Sequence, residues 1–204
     1  MAKKPSPVDA TLAATMELAA ERGWRSLSLA DISDRSGVAL ADLVEQFPSK
    51  AAILAAYTRS VDARMLAAGT ETGETPRDRL FDVIMRRFEA MAPDRRGLAA
   101  ILRQAGDDPL LLVCGARRFV QSMALTLEAA GLSSSGLWGM IRLKGLAAIY
   151  LYTMRVFVED DSPDLTRTMA ALDKALRRVE SVAVLLWRRS PDLPPPPQPV
   201  EGEL

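Results

Sequence analysis

Few residues in this chain have side chains suited to chemistry. There is no histidine and a single cysteine, Cys114, in 204 residues. Ser-His and Cys-His nucleophile pairs, histidine-bearing zinc sites and an internal disulfide framework are therefore excluded. Cys114 reads as a small buried hydrophobe, because a redox-sensing thiol needs an exposed electropositive setting of which Arg117 and Arg118 give only a hint. Carboxylates gather at Asp107 and Asp108 and at Glu159, Asp160 and Asp161. Both groups sit at expected helix junctions, where acids complement the positive end of the following helix, and capping outweighs acid–base work there. Neither a glycine-rich phosphate loop nor a metal-ligand spacing occurs. The expectation is a protein that is not an enzyme and needs no cofactor and no metal.

The informative stretch is SLADISDRSGVALADLVEQFPSK, residues 28–50. Ser28 with Asp31 three positions on forms a capping box, Leu29, Ile32 and Ser33 share one face, and Gly37 stops the helix after two turns. A second short helix follows at about 40–46. Two short helices joined by a glycine-containing turn, behind a longer supporting helix, make a helix-turn-helix whose second member can enter a DNA major groove. Ala30, Gly37, Val38, Leu43 and Phe47 are the expected packing positions.

The elements that must position this motif all repeat their apolar residues at helical spacing, and no sustained two-residue alternation appears. The fold class is all-α, with a three-helix head, a larger helical bundle and about nine helices. Leu12, Thr15, Met16, Ala19 and Ala20 stripe a first helix over 8–22 that Gly23 closes. Further helices are expected at 50–68, from Thr75 and Pro76 toward Pro93, and at 95–105, 109–130, 135–158 and 163–188. GTETGET reads as a loop, and the proline-rich end PDLPPPPQPVEGEL as a disordered tail. The domains are thus a head at 1–57, a bundle at 58–189 and a tail at 190–204.

Charge is balanced at 26 basic and 26 acidic residues, so global attraction draws the chain neither to nucleic acid nor to an anionic membrane. Asp9, Glu17 and Glu21 interrupt the first apolar stretch, unlike a secretory signal core, and the longest apolar run, Gly145 to Met154, is about half a bilayer span. A cytoplasmic protein with no membrane partner is expected.

ATMELAAERGWRSLSLADISDRSGV, together with the FPSK that follows, resembles the tetracycline-repressor (TetR) family of bacterial transcriptional regulators. The resemblance covers about the first 57 residues well, and TMAALDKALRRVE is similar to the last helix of many such regulators. It implies a homodimer built largely from the two last helices, a double-stranded DNA operator as partner, and a small apolar ligand held in each subunit. Carried over by position, Arg25, Ser28 and Lys50 match places where the family touches phosphate, while Leu40, Ala41, Val44 and Gln46 are nearest the bases. Of these, Gln46 can read adenine through two hydrogen bonds. The chain also departs from the family. Ala39, Ala41, Val44 and Gln46 stand where hydroxyl and aromatic residues are usual, and Asp42 and Glu45 load the reading helix with acid. Over residues 1–57, six basic side chains meet seven acidic ones, a poor balance for phosphate binding.

In the body, Phe88, Leu102, Phe119, Met123, Leu127 and Met154 are candidates to line an apolar pocket, with ordinary core as the alternative for each. The helix at 135–158 is apolar on most sides, through Trp138, Met140, Ile141, Leu143, Leu146, Ile149, Tyr150 and Val156. With Leu172, Leu176, Val179, Val182, Leu185 and Leu186 it could supply a four-helix seam across a two-fold axis. A second resemblance competes: residues 142–176 are similar to the lipid-binding accessory proteins of coenzyme Q biosynthesis, which share the repressor fold without binding DNA. The acidic reading helix suits that alternative, whereas the proline tail stands where those proteins carry a membrane-seeking helix.

Overall fold

A computed structural model describes residues 6–67, 69, 75–105 and 109–189, with the side chains of 105, 109–114 and 180–189 excepted. The tail, the center of the GTETGET loop, Lys3, Lys4, Asp107, Asp108, and the side chains of Cys114, Val182, Leu185, Leu186 and Trp187 lie outside that description. Nine α-helices and no strand occur among the described residues. They are α1 (Pro7–Arg22), α2 (Leu29–Ser36), α3 (Leu40–Gln46), α4 (Lys50–Ala67), α5 (Pro76–Met91), α6 (Arg95–Ala105), α7 (Pro109–Ala129), α8 (Gly136–Phe157) and α9 (Thr166–Arg189), with a 3₁₀ turn at Ala92–Asp94. The chain divides into two compact units, Met1–Ala67 with Arg87–Ser122 and Ala68–Arg86 with Met123–Leu204.

The first unit is built around α1. Ser6 caps it by accepting from the Asp9 N–H at 3.1 Å, Pro7 occupies the first turn, and Gly23 ends it at φ 81°. The expected stripe is buried at Leu12, Thr15, Met16 and Ala19, but Ala20 is exposed, and Thr11, Ala14 and Leu18 are buried as well. The buried surface is wider than one stripe because α1 packs against α2 and α4 and also against α6. Thr11 and Thr15 tolerate burial by donating to the carbonyls of Pro7 and Thr11, at 2.8 and 2.7 Å.

Where α6 meets α1 the two backbones nearly touch. A Cβ on Gly97 would lie 2.4 Å from the Met16 carbonyl oxygen, so only glycine fits. At the other end of α6, the Gln104 side chain accepts from the Arg25 N–H at 2.8 Å and fixes the turn after α1. On α4, Tyr57 donates to Asp94 at 2.9 Å. Burial, then the adjacent Asp94 charge, pushes the Tyr57 pKa far up, so the phenol remains a donor. One turn further, the buried Asp62 carboxylate accepts from Arg87 of α5 and from Arg118 and Ser122 of α7, the last at 2.6 Å.

The second unit is closed by α8 against α9. Leu146, Ile149, Tyr150 and Phe157 bury against Leu165, Leu172 and Leu176. At the junction Asp160 is fully buried and accepts from the Ser162 N–H at 3.1 Å, the Thr168 N–H at 2.8 Å and both hydroxyls. Burial alone would raise its pKa, but these hydrogen bonds favor the anion more strongly and hold the carboxyl at about 2. Asp160 is thus the capping acid its position suggested. Arg77 pairs with Asp173, which also accepts from Arg177 at 2.9 Å.

Two outcomes test this packing. Gly97→Ala should destabilize the protein by about 2 kcal/mol through backbone overlap with Met16; unchanged urea unfolding would contradict the close approach. Asp160→Ala should cost roughly 2 kcal/mol at neutral pH. Because the folded pKa lies below the ordinary 3.8, that contribution is present above 3.8 and lost as pH falls through about 2. Denaturation curves of variant and parent should therefore converge with acidification across that window.

Candidate nucleic-acid interface

Very few side chains hold α3 in place. The capping box at the start of α2 is complete: the Asp31 N–H donates to Ser28 Oγ at 3.1 Å and the Ser28 N–H donates to Asp31 Oδ2 at 2.9 Å. Hydrogen bonding from the Ser28 hydroxyl is the main cause holding the Asp31 pKa below its usual range. Gly37 ends α2 in the left-handed region at φ 70°, and Ser33 Oγ donates to the Val38 carbonyl at 2.7 Å across the turn. Open space surrounds the place a Gly37 Cβ would take, so this glycine serves the sign of φ and not a close approach of helices.

The hub under α3 consists of Trp24, Leu27, Ile32, Leu43 and Phe47, each at most 4% exposed. Leu43 and Phe47 were expected there. Ala30 was expected too, but it is exposed, because it lies two positions, or about 200° of helix, from the buried Ile32. Val38 is half-buried. Trp24 was missed by sequence reading; a large aromatic directly after the Gly23 stop was the available signal.

Leu43 is the sole buried residue of α3, and the other six are exposed. At about 100° per residue those six fall into three pairs, each spanning one turn. Ala41 and Glu45 form the outermost ridge, opposite Leu43. Leu40 and Val44, 44% and 43% exposed, form an apolar flank on one side. Asp42 and Gln46 form the polar flank on the other. Gln46 borders a cleft of about 370 Å³ that is also lined by Leu12 and Phe47 and edged by Asp9 and Arg59. Sequence reasoning singled out Gln46 among the base-proximal residues, whereas the outer ridge belongs to Ala41 and Glu45.

The cations of the head hold it together. Arg35 pairs with Glu21 at 2.8 Å and with Glu17 at 3.3 Å, and its hydrogen bond is the main cause lowering the Glu21 pKa. Arg22 lies 3.5 Å from Asp31. Lys50 donates to the Trp24 carbonyl at 2.9 Å, with its ammonium 4.8 Å from the Trp24 ring centroid. Ser28 and Lys50 thus both have structural tasks, while Arg25 is exposed and held by its backbone to Gln104.

The candidate pocket residues are scattered in exposure. Phe88, Met123 and Leu127 are buried, Phe119 and Met154 half-buried, and Leu102 is 48% exposed. Phe88, Leu102 and Phe119 belong to the first unit, and Met123, Leu127 and Met154 to the second. Among the described residues no cluster of acidic or cysteine side chains could hold a metal, and no helix is long and apolar enough to cross a membrane.

Comparison with known proteins bears on the same elements. Residues 12–57 match the family of bacterial regulatory proteins, tetR family. No curated protein matches the chain by sequence. Among solved structures, a TetR transcriptional regulator from Nitrosomonas europaea is similar at 24% identity and a TM-score of 0.69, over 85% of this chain and 98% of that one. A TetR transcriptional regulator from Rhodococcus sp. RHA1 is similar at 19% identity and 0.62, over 83% and 93%. The transcriptional regulator FadR from Bacillus subtilis, in complex with stearoyl-CoA, is similar at 18% and 0.53, over 82% and 95%. The head, residues 12–57, is thus similar in sequence to the bacterial regulatory proteins of the tetR family, and the fold is the one seen in the solved TetR regulators.

Proposed function

We propose that the protein is a dimeric, DNA-binding transcriptional regulator that responds to a small apolar ligand. The observation that carries this reading is the presentation of α3: one buried anchor, Leu43, and six exposed side chains, as a helix entering a major groove requires. Residues 1–57 then form the reading head, 58–189 the ligand-binding and dimerizing body, and 190–204 a tail. The protein acts in the cytoplasm, on an operator, and not as an enzyme. Leu40, Ala41, Val44 and Gln46 face bases, and Arg25, Ser28 and Lys50 approach phosphates.

Dimerization is supported by the apolar outer face of α8, where Leu137, Met140, Ile141, Leu151 and Tyr152 are 45% exposed or more, and by Val179 of α9, 46% exposed. A helix pair that keeps such residues in water lacks a partner, and a second copy of the same surface closes it. An apolar ligand is supported by the similarity to a regulator solved with stearoyl-CoA. Within the second unit, Met123, Leu127 and Met154 are its proposed contacts.

Salt titration of binding to genomic DNA fragments tests the reading. Affinity should fall with salt, and Arg25→Gln should lower it across sequences and flatten the log–log slope by about 0.9. Absence of binding, or binding indifferent to salt, would overturn the DNA assignment, and an isoprenoid lipid in the purified protein would then favor the lipid-binding alternative. Sedimentation at micromolar concentration should give a dimer that Leu151→Glu converts to monomer; a monomeric parent protein would refute the paired seam.

A further inference from the structure

We infer that Glu45 is the residue that sets base specificity, and that it selects cytosine in an operator half-site flanked by thymine. This inference rests on the DNA-binding reading above and goes beyond it by assigning a base. Glu45 shares the outermost ridge of α3 with Ala41, about 160° from the buried Leu43. A helix lying in the groove brings that ridge deepest, so the carboxylate meets base edges before any other polar group of α3 does.

The bases present different chemistry to it. Guanine shows two acceptors, thymine an acceptor and a methyl group, and adenine an acceptor beside its amino donor. Each places lone pairs against a carboxylate. Cytosine presents its N4 amino donor without a neighboring acceptor on the same base, so it alone satisfies Glu45 without repulsion. The alternatives leave a desolvated carboxylate unpaired, which makes the discrimination steep. The apolar flank supplies the second half of the preference, because Leu40, Val44 and the Ala41 methyl complement thymine C5-methyl groups. No cation on α3 competes for guanine, since the helix contains neither lysine nor arginine.

The test is selection of duplexes from a random pool by the full-length protein, at one fixed salt concentration, repeated with Glu45→Ala and Glu45→Gln. Position 45 is exposed in the folded head, and circular dichroism checks that both variants fold. The parent protein should retain sites with a fixed cytosine next to thymine, and replacing that cytosine should weaken binding by about 5- to 150-fold. Glu45→Ala should retain duplexes while losing that preference, and Glu45→Gln should exchange it for adenine, which a glutamine side chain reads through two hydrogen bonds. If the variants bind with the cytosine preference unaltered, this inference is overturned and the DNA-binding reading stands. If the parent protein retains no duplex above background, both are overturned.

Discussion

The head depends on the contact between α6 and α1. Gly97 lets the backbones meet at Met16, and Gln104 holds the turn at Arg25. With α1 fixed in this way, its other faces carry α2 and α4, and the hub formed by Trp24, Leu27 and Ile32 then receives Leu43 of α3. Leu43 is the one buried residue of α3, and the side chains of the hub are each at most 4% exposed. Exposed surface on α3 is the product of that economy, since each additional anchor would remove a side chain from the face turned outward.

Electrostatics in the head follow the same logic. A surface made to neutralize phosphates keeps its cations apart from acids, yet Arg22, Arg35 and Lys50 here join α1 to α2 and α4 to the Trp24 turn. Exposed pairs of this type contribute little stability individually, but they orient the elements and reduce the positive field available to a polyanion. The acids on α3 push in the same direction. Both effects lower the positive potential that the head presents.

Most of the helical layout was legible from sequence. Ser28, Asp31, Gly37, Thr75 and Pro76 mark helix ends through local hydrogen bonding and φ, which neighboring residues determine. Thr75 caps α5 as its position before Pro76 suggests, with the Asp78 N–H donating to Thr75 Oγ1 at 3.1 Å. What escaped were features set by residues far apart in the chain. The second buried face of α1 exists because α6 returns to it some eighty residues later, and nothing in residues 7–22 announces that. The glycine at 97 likewise reads as an ordinary helix interior until Met16 is placed beside it. Ala30 was misplaced as well, because its small size suggests that the two short helices approach there, whereas it lies on the exposed side of α2.

Asp62 carries a consequence of a different kind. One carboxylate buried on α4 gathers guanidinium groups from α5 and α7, and removing either partner from a buried pair is costly, about 3–5 kcal/mol. Sliding α5 along α4 by a single turn would separate Asp62 from Arg87, two charges buried together. The three helices are therefore pinned together at one carboxylate, and their register along one another is fixed there.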